Sequence, residues 1–166
     1  MLAAQTKAAQ AKAAQAKVAM QKVLIFSVGA LHLAVRLEGV SKVIPMPQIL
    51  KSGDKFLGLT QLDGQDVIVL DLGQYVYGQA AQTSQGFLIT VQTERNRYGL
   101  TAATLPIMRQ MPVSDFQAVP SDYRDRDVLG VADAMVSAVL DNKEAVTAFV
   151  LDPERLLSLI AQGSPA

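Results

Sequence analysis

The sequence predicts an all-β domain that follows an N-terminal extension of different composition. Two observations predict this fold class: from Val23 onwards the chain consists of short apolar runs that alternate with polar residues, and Gly, Asp and Pro interrupt these runs. Alternation with a period of two is typical of strands that bury one face. We therefore predict an extension over residues 1–22, a folded domain over residues 23–162 and a tail over residues 163–166.

The overall composition excludes several classes of function. The chain has 166 residues, with 15 Lys and Arg against 15 Asp and Glu, one His and no Cys. A domain of this size buries enough apolar surface to fold without disulfides or metals, and a net charge of zero attracts neither nucleic acid nor an anionic membrane. No apolar run approaches the roughly 18 residues of a membrane span. We expect a cytoplasmic protein that has no stable membrane insertion and binds no nucleic acid, metal or cofactor.

The extension is an imperfect five-residue repeat of Ala, Gln and Lys, with the units AAQTK, AAQAK, AAQAK and VAMQK. These residue types have high helix propensity, so the local expectation is a helix. Five residues advance about 500° around a helix, so the lysines do not line one face. The extension is therefore predicted to be a solvated helical or disordered spacer, and a docking arm or a weak membrane-surface contact is the alternative.

The folded domain opens with a predicted hairpin. Residues 23–28 form an apolar run, and in residues 31–37 apolar and polar side chains alternate after a turn. Pro45 and Pro47 follow, and proline cannot donate a hydrogen bond to a strand ladder. We therefore predict that residues 40–49 form a connection with room for one short helical turn.

Two further hairpins are predicted in the middle of the chain. Residues 56–72 carry Asp63 and Gly64 between two apolar runs, and an Asp-Gly pair in this setting is typical of a two-residue hairpin turn. After a polar stretch, residues 87–92 and 98–103 are apolar runs separated by a charged turn. These features predict four strands joined in two hairpins.

The last part of the domain combines an irregular stretch, two strands and a helix. Three prolines from position 106 to position 120 indicate the irregular stretch, and strands are predicted over residues 128–140 and 145–151. Asp152 and Pro153 are typical of the N-cap and the first position of a helix. A short closing helix is therefore predicted after the last strand.

No residue pattern predicts an active site. His32 lies between two leucines without a visible partner, so a structural or surface role is predicted for it. Asp71 ends an apolar run, as the phosphoacceptor of a receiver domain does, but a receiver domain would alternate strands with helices. We predict that Asp71 caps a turn. Phosphate loops, nucleophile elbows and HExxH motifs are absent from the sequence, so we expect a protein that presents surfaces to other proteins and is not an enzyme.

Several stretches taken together resemble the CheW family of chemotaxis adaptors, from residue 23 to residue 157. The most specific one contains a glycine, the turn Gln61-Leu62-Asp63-Gly64 and a terminal Asp-Leu pair at the spacing of the family signature. The stretches that carry the resemblance are residues 24–28, 33–43, 56–64, 69–72, 98–100, 128–131 and 151–157.

This resemblance implies both a fold and a function. The implied fold consists of two SH3-like five-stranded β-barrel lobes, predicted at residues 23–78 and 86–150, with a groove between them and a short C-terminal helix. The implied function is that of a non-catalytic adaptor, which couples a CheA-type histidine kinase at one lobe's edge to the helix of a methyl-accepting chemoreceptor in the groove. Such a protein would be recruited from the cytoplasm to membrane receptor arrays.

The pathway and one alternative function stay open at this point. The composition of the extension resembles that of cyanobacterial sequences, in which such adaptors serve phototaxis or type IV pilus motility. The alternative is a ligand-binding or regulatory β-barrel module that uses the groove between the lobes for a small molecule.

The resemblance places six residues on or near the contact surfaces: Val40, Lys42, Gly58, Asp63, Gly64 and Gly99. Val40 would supply apolar contact, and the glycines would permit close backbone approach or a positive φ. Asp63 stands where the family typically has an arginine, and Lys42 stands where a glutamate is typical. Both charges are reversed, which indicates either a neutral change on an exposed surface or a partner with reversed complementary charges.

Overall fold

The structure, a computed structural model, describes residues 19–51, 56–77, 86–94, 96–120 and 130–163. The predicted extension therefore lies outside the described residues except at its end. There the first strand begins at Met20, three residues before the predicted position.

The predicted all-β fold with a short C-terminal helix is confirmed. The strands are β1 (Met20–Val28), β2 (Leu31–Arg36), β3 (Val40–Pro45), β4 (Leu50–Lys51), β5 (Leu57–Leu62), β6 (Gln65–Leu70), β7 (Phe87–Gln92), β8 (Arg97–Ala102), β9 (Ile107–Pro112), β10 (Ala132–Val139) and β11 (Ala145–Leu151). The helices are α1 (Leu72–Tyr77) and α2 (Pro153–Gly163), and short 3-10 turns cover Leu37–Gly39 and Val113–Asp115.

The strands form two sheets, which are called the first and the second sheet below. The first has the order β10-β11-β2-β1-β9, and the second has the order β3-β7-β8-β6-β5-β4. Most neighbouring strands are antiparallel, but β11 pairs with β2 and β6 pairs with β8 in parallel.

The sheets do not follow the lobes predicted at residues 23–78 and 86–150. The parallel pairing of β11 with β2 brings the C-terminal hairpin beside the N-terminal one, so the first sheet takes its strands from both ends of the chain. The second sheet consists of the consecutive strands β3 to β8, and the two-residue strand β4 brings its number of strands to six.

Both faces of the first strand are buried, which explains its nearly continuous apolar sequence. Leu24, Phe26 and Val28 belong to a core that also contains residues of the second sheet and of α2, and we call it the shared core. Val23 and Ile25, on the opposite face, belong to a separate core of the first sheet. Since strand side chains alternate between faces, β1 lies between two cores.

The second sheet has a core of its own, and α2 closes the shared core. Leu62, Val67, Val69 and Leu88 form the core of the second sheet. The helix buries Leu156 and Ile160 in the shared core. The predicted N-cap is confirmed, because the backbone N–H of residue 154 donates to Asp152 Oδ1 at 3.0 Å.

Two longer strands lie where the sequence predicted none, in addition to the two-residue strand β4. β3 falls in the predicted connection over residues 40–49, and β9 falls in the predicted irregular stretch, so both predictions are wrong. Each of these strands is the outermost one of its sheet, and each ends at a proline. Proline is tolerated in such a place because an edge strand has one side without ladder hydrogen bonds.

The segment after β6 forms the short helix α1, which the sequence did not predict. Asp71 precedes it, is fully buried and accepts a hydrogen bond from the backbone N–H of Gln74 at 3.1 Å. The predicted capping role of Asp71 is thus confirmed.

Side-chain bonds join the two outermost strands of the first sheet. Arg109 of β9 donates from Nε to the carbonyl oxygen of Val139 at 3.0 Å, and from Nη2 to Asp141 Oδ1 at 2.6 Å. Val139 ends β10, which is the outermost strand on the other side of the sheet. This contact requires the first sheet to curl into a barrel.

Candidate functional site

The six predicted contact residues do not form one surface. Val40 is half-buried and packs against the shared core. Gly58 and Gly99 are buried within the second sheet. Lys42 is partly exposed on β3, and Asp63 and Gly64 are exposed on the turn between β5 and β6.

The turn that carries Asp63 and Gly64 has the predicted hairpin geometry. Leu62 and Gln65 are paired in register, which leaves two residues in the turn. Asp63 has a φ of 53° and Gly64 a φ of 78°, and positive values at both positions define the type I′ turn. Asp tolerates this region better than most side chains, and glycine enters it without steric cost. The predicted hairpin is confirmed.

Lys42 and Asp63 form an ion pair with each other. Lys42 Nζ donates to Asp63 Oδ2 at 2.7 Å, and Arg97 Nη2 lies 3.6 Å from the same oxygen. We call these three residues the charged cluster. The hydrogen bond and charge of Lys42, with a smaller contribution from Arg97, hold the pKa of the Asp63 carboxyl below its usual value.

The ion pair connects two parts of the second sheet that are distant in strand order. Lys42 lies on β3, the outermost strand on one side, and Asp63 lies at the turn of β5 and β6 on the other side. The pair thus connects distant strands of the second sheet, as Arg109 connects the two outermost strands of the first sheet. The two residues at which the resemblance implies opposite charges are therefore in direct contact, and reversing both charges together preserves their attraction.

Arg97, the third member of the charged cluster, was not identified from the sequence. It is the first residue of β8, its side chain is 19% exposed, and its Nε is buried with no hydrogen-bond partner in the part of the chain that the structure describes. The parallel pairing of β6 with β8 brings Arg97 beside the turn. Sequence spacing carries no signal for such a pairing, since the two strands are far apart in the chain.

Gly99 makes room for a core side chain. A Cβ atom added to Gly99 would lie 2.8 Å from Leu88 Cδ1, and Leu88 is fully buried. The close approach predicted for this glycine is therefore made to the core of the second sheet.

Replacing Gly99 with alanine is expected to lower the free energy of unfolding by about 1–3 kcal/mol, because Leu88 must leave its packed position. Urea unfolding of the variant measures this change. Gly39→Ala is the matched control, since a Cβ there would meet its nearest neighbours at 3.9 and 4.0 Å, which is ordinary contact. A Gly99→Ala variant with unchanged stability would contradict the packing role.

A second surface feature is a row of apolar side chains that crosses the second sheet. The row follows the strand register from β3 to β4 and consists of Val40, Val91, Tyr98, Ile68, Leu59 and Leu50. Residues paired across a sheet point to the same face. The first three pack in or against the shared core, whereas the last three are exposed.

We call Ile68, Leu59 and Leu50 the exposed row. It is the uncovered continuation of a face that elsewhere packs against the shared core. The sequence contained part of this signal, because a two-residue turn at Asp63 and Gly64 sets Leu59 opposite Ile68. Leu50 could not be placed in this way, since β4 lies where the sequence predicted no strand.

Two searches of the described residues gave negative results. None of the helices described is long and apolar enough to cross a membrane. No group of three or more His, Asp or Glu side chains in the described ranges is placed to hold a metal ion.

The fold is similar to that of a solved scaffolding protein. The crystal structure of TtCheW from Thermoanaerobacter tengcongensis matches with a TM-score of 0.64 over 81% of this chain and 86% of that chain, at 17% sequence identity. At this level of identity the likeness shows a shared fold. Among curated proteins, no sequence relative is found.

The sequence itself places the chain in a family. The model of the CheW-like domain matches residues 22–161, which include every strand from β2 to β11 and most of α2. The chain therefore belongs to the CheW-like domain family, as the resemblance predicted.

Proposed function

We propose that this chain is a non-catalytic adaptor, which couples a CheA-type histidine kinase to methyl-accepting chemoreceptors at the membrane receptor array. Membership of the CheW-like domain family over residues 22–161 is the observation that supports this role most strongly. The name of the similar structure, a scaffolding protein, agrees with it. The pathway that we propose is taxis or type IV pilus motility signalling, in the cytoplasm.

An adaptor needs a surface for each of its partners, and the second sheet offers two features of different chemistry. The exposed row is apolar, and the charged cluster is ionic. Asp63 follows Leu59 by four residues, which corresponds to roughly 13 Å along a strand. The two features can therefore contact different partners.

We assign the exposed row to the receptor. Receptor tips are helical in the family, and a helix binds another protein by laying its apolar face on an apolar surface. The exposed row supplies such a surface, and its first member, Ile68, is paired with Tyr98 of the shared core. The charged cluster is then left for the kinase.

Replacing Ile68 with glutamine is expected to weaken binding to a receptor cytoplasmic fragment by about tenfold, because one apolar contact of the exposed row is lost. Calorimetric titration of the full chain with the fragment from the same organism measures the affinity. Val139→Gln is the matched control. Val139, like Ile68, is an exposed β-branched apolar side chain on a strand, but it belongs to the first sheet.

Both variants are expected to unfold within about 0.5 kcal/mol of the original protein, as exposed substitutions usually do. Equal receptor affinity of Ile68→Gln and the unchanged protein would contradict the assignment of the exposed row. A wild-type chain that binds neither receptor nor kinase would contradict the adaptor function itself.

A further inference from the structure

We propose that Lys42 and Arg97 form a recognition site for a carboxylate side chain, glutamate or aspartate, on the surface of the kinase, and that Asp63 holds the two cations in place. This inference rests on the proposed adaptor function and names the chemistry of the partner at the charged cluster. It follows from the pairing and exposure of three side chains and from the backbone contacts that hold two of them.

The first argument is that the cluster contains more positive than negative charge. Lys42 and Arg97 share one carboxylate, and both approach the same oxygen of Asp63. Lys42 occupies that oxygen at 2.7 Å, whereas Arg97 stays at 3.6 Å, beyond ordinary hydrogen-bond distance. Within the described residues, the internal pairing therefore satisfies Lys42 and leaves Arg97 incompletely paired.

The second argument concerns the guanidinium group of Arg97. Its Nε has no hydrogen-bond partner among the described residues, although it is shielded from solvent. A buried donor without an acceptor is unfavourable, and a guanidinium fits a carboxylate through two parallel N–H···O bonds. Because Nε is shielded, a partner carboxylate can reach this guanidinium only through its Nη groups, and the side chain is 19% exposed.

The third argument is that the site is accessible and that the backbone carrying Lys42 and Asp63 is held in place. The side chains of Lys42 and Asp63 are 38% and 64% exposed, and that of Arg97 is 19% exposed. The backbone of Lys42 is fixed at two points, because its N–H donates to Thr90 Oγ1 at 2.9 Å and its carbonyl accepts from the same hydroxyl at 3.0 Å. Asp63 is fixed by the type I′ turn. A site that is ordered before binding loses less entropy when the partner arrives.

These features also predict which partners are rejected. A cationic side chain at this position would face Lys42 and Arg97 together, and like charges brought together across an interface oppose binding. The charged cluster therefore selects for an acidic partner surface.

The test is a calorimetric titration of the full chain with the regulatory domain of the CheA-type kinase from the same organism, at low and at high salt. Arg97→Gln is expected to weaken binding by about tenfold and to reduce its salt dependence, because one charge contact is lost. Arg97→Lys keeps the charge but cannot make two parallel hydrogen bonds to one carboxylate, so an intermediate affinity is expected.

Arg109→Gln serves as the matched control. Arg109 is also paired with a carboxylate, that of Asp141, but lies in the first sheet. This variant is expected to bind the kinase domain as the unchanged protein does, and thermal unfolding of each variant verifies that it is folded.

The possible outcomes separate the inference from the proposed function. If the unchanged chain binds the kinase domain and Arg97→Gln binds equally well with the same salt dependence, the carboxylate site is wrong and the adaptor function stands. If Arg97→Gln weakens binding to the receptor fragment and not to the kinase, the site has been assigned to the wrong partner. If the unchanged chain binds neither protein, the adaptor function fails and this inference fails with it.

Discussion

Replacing Tyr98 with alanine is expected to lower the free energy of unfolding by about 3–5 kcal/mol, which is the usual cost of removing a large aromatic side chain from a core. Tyr98 is fully buried in the shared core and lies on β8, between strands β7 and β6. Its hydroxyl donates to the carbonyl oxygen of Pro153 at 3.0 Å, at the start of α2. The side chain therefore connects the second sheet to the closing helix, and urea unfolding measures its contribution.

Tyr98→Phe separates the ring from the hydroxyl. This variant keeps the packing and removes one hydrogen bond, so a loss of about 0.5–1.5 kcal/mol is expected. If Tyr98→Ala cost no more than Tyr98→Phe, the ring would not be part of a continuous core, and the shared core as described would be contradicted.

The same residue predicts a dependence of stability on alkaline pH. Burial, with the charges of Glu154 and Asp152, raises the pKa of the Tyr98 hydroxyl above its usual value. The unfolded chain therefore loses this proton at a lower pH than the folded one, and stability is expected to fall as the pH rises above about 10. Tyr98→Phe should show a smaller fall, which unfolding measured across this pH range would detect.

Replacing Lys42 with glutamate is expected to weaken binding to the kinase regulatory domain by about 100-fold, which corresponds to about 2.7 kcal/mol. The substitution changes the charged cluster from two cations and one anion to one cation and two anions. A partner carboxylate then meets repulsion where it met attraction. Titration calorimetry measures the affinity, with urea unfolding as a check on the fold.

The double variant Lys42→Glu with Asp63→Arg distinguishes the two interpretations of the reversed charges. It restores an internal ion pair and the original net charge, but the anion is now at position 42 and the cation at position 63. We expect affinity for the kinase to stay at least about tenfold below that of the unchanged protein, because the cation at position 42 is gone. Full recovery of affinity would show that only the internal pair matters, and it would support a neutral exchange.

Asp63→Arg alone is the remaining single variant, and it completes a double-mutant cycle. It sets a third cation beside Lys42 and Arg97, and weaker kinase binding is expected because the two existing cations are displaced. Arginine is also less tolerant of the positive φ at this position than aspartate. Asp63→Asn is therefore the better single substitution for testing the charge of Asp63, since it removes that charge and asparagine suits the turn.

The hairpins were predictable because their signals are local. The Asp63-Gly64 turn fixed the register of β5 and β6, and Asp152 with Pro153 located the start of α2. β3 and β9 were missed for a physical reason: Pro45 and Pro112 argue against strands in general, but these strands lie at sheet edges. Whether a strand lies at an edge depends on the tertiary arrangement, which the local sequence does not contain.

The division of strands between the sheets and the composition of the charged cluster could not be predicted. Both depend on parallel pairings between distant segments, β2 with β11 and β6 with β8. Two members of the cluster, Lys42 and Asp63, stood out because their charges depart from the family pattern. Their contact and the contribution of Arg97 became visible only once the strands were placed.

The most direct test of the adaptor function is a measurement of three proteins together. A receptor cytoplasmic fragment is immobilised, and the kinase regulatory domain is passed over it in the presence and absence of the full chain. We predict that the kinase domain is retained when the chain is present and is not retained when it is absent. Equal retention of the kinase domain with and without the chain would contradict the coupling function.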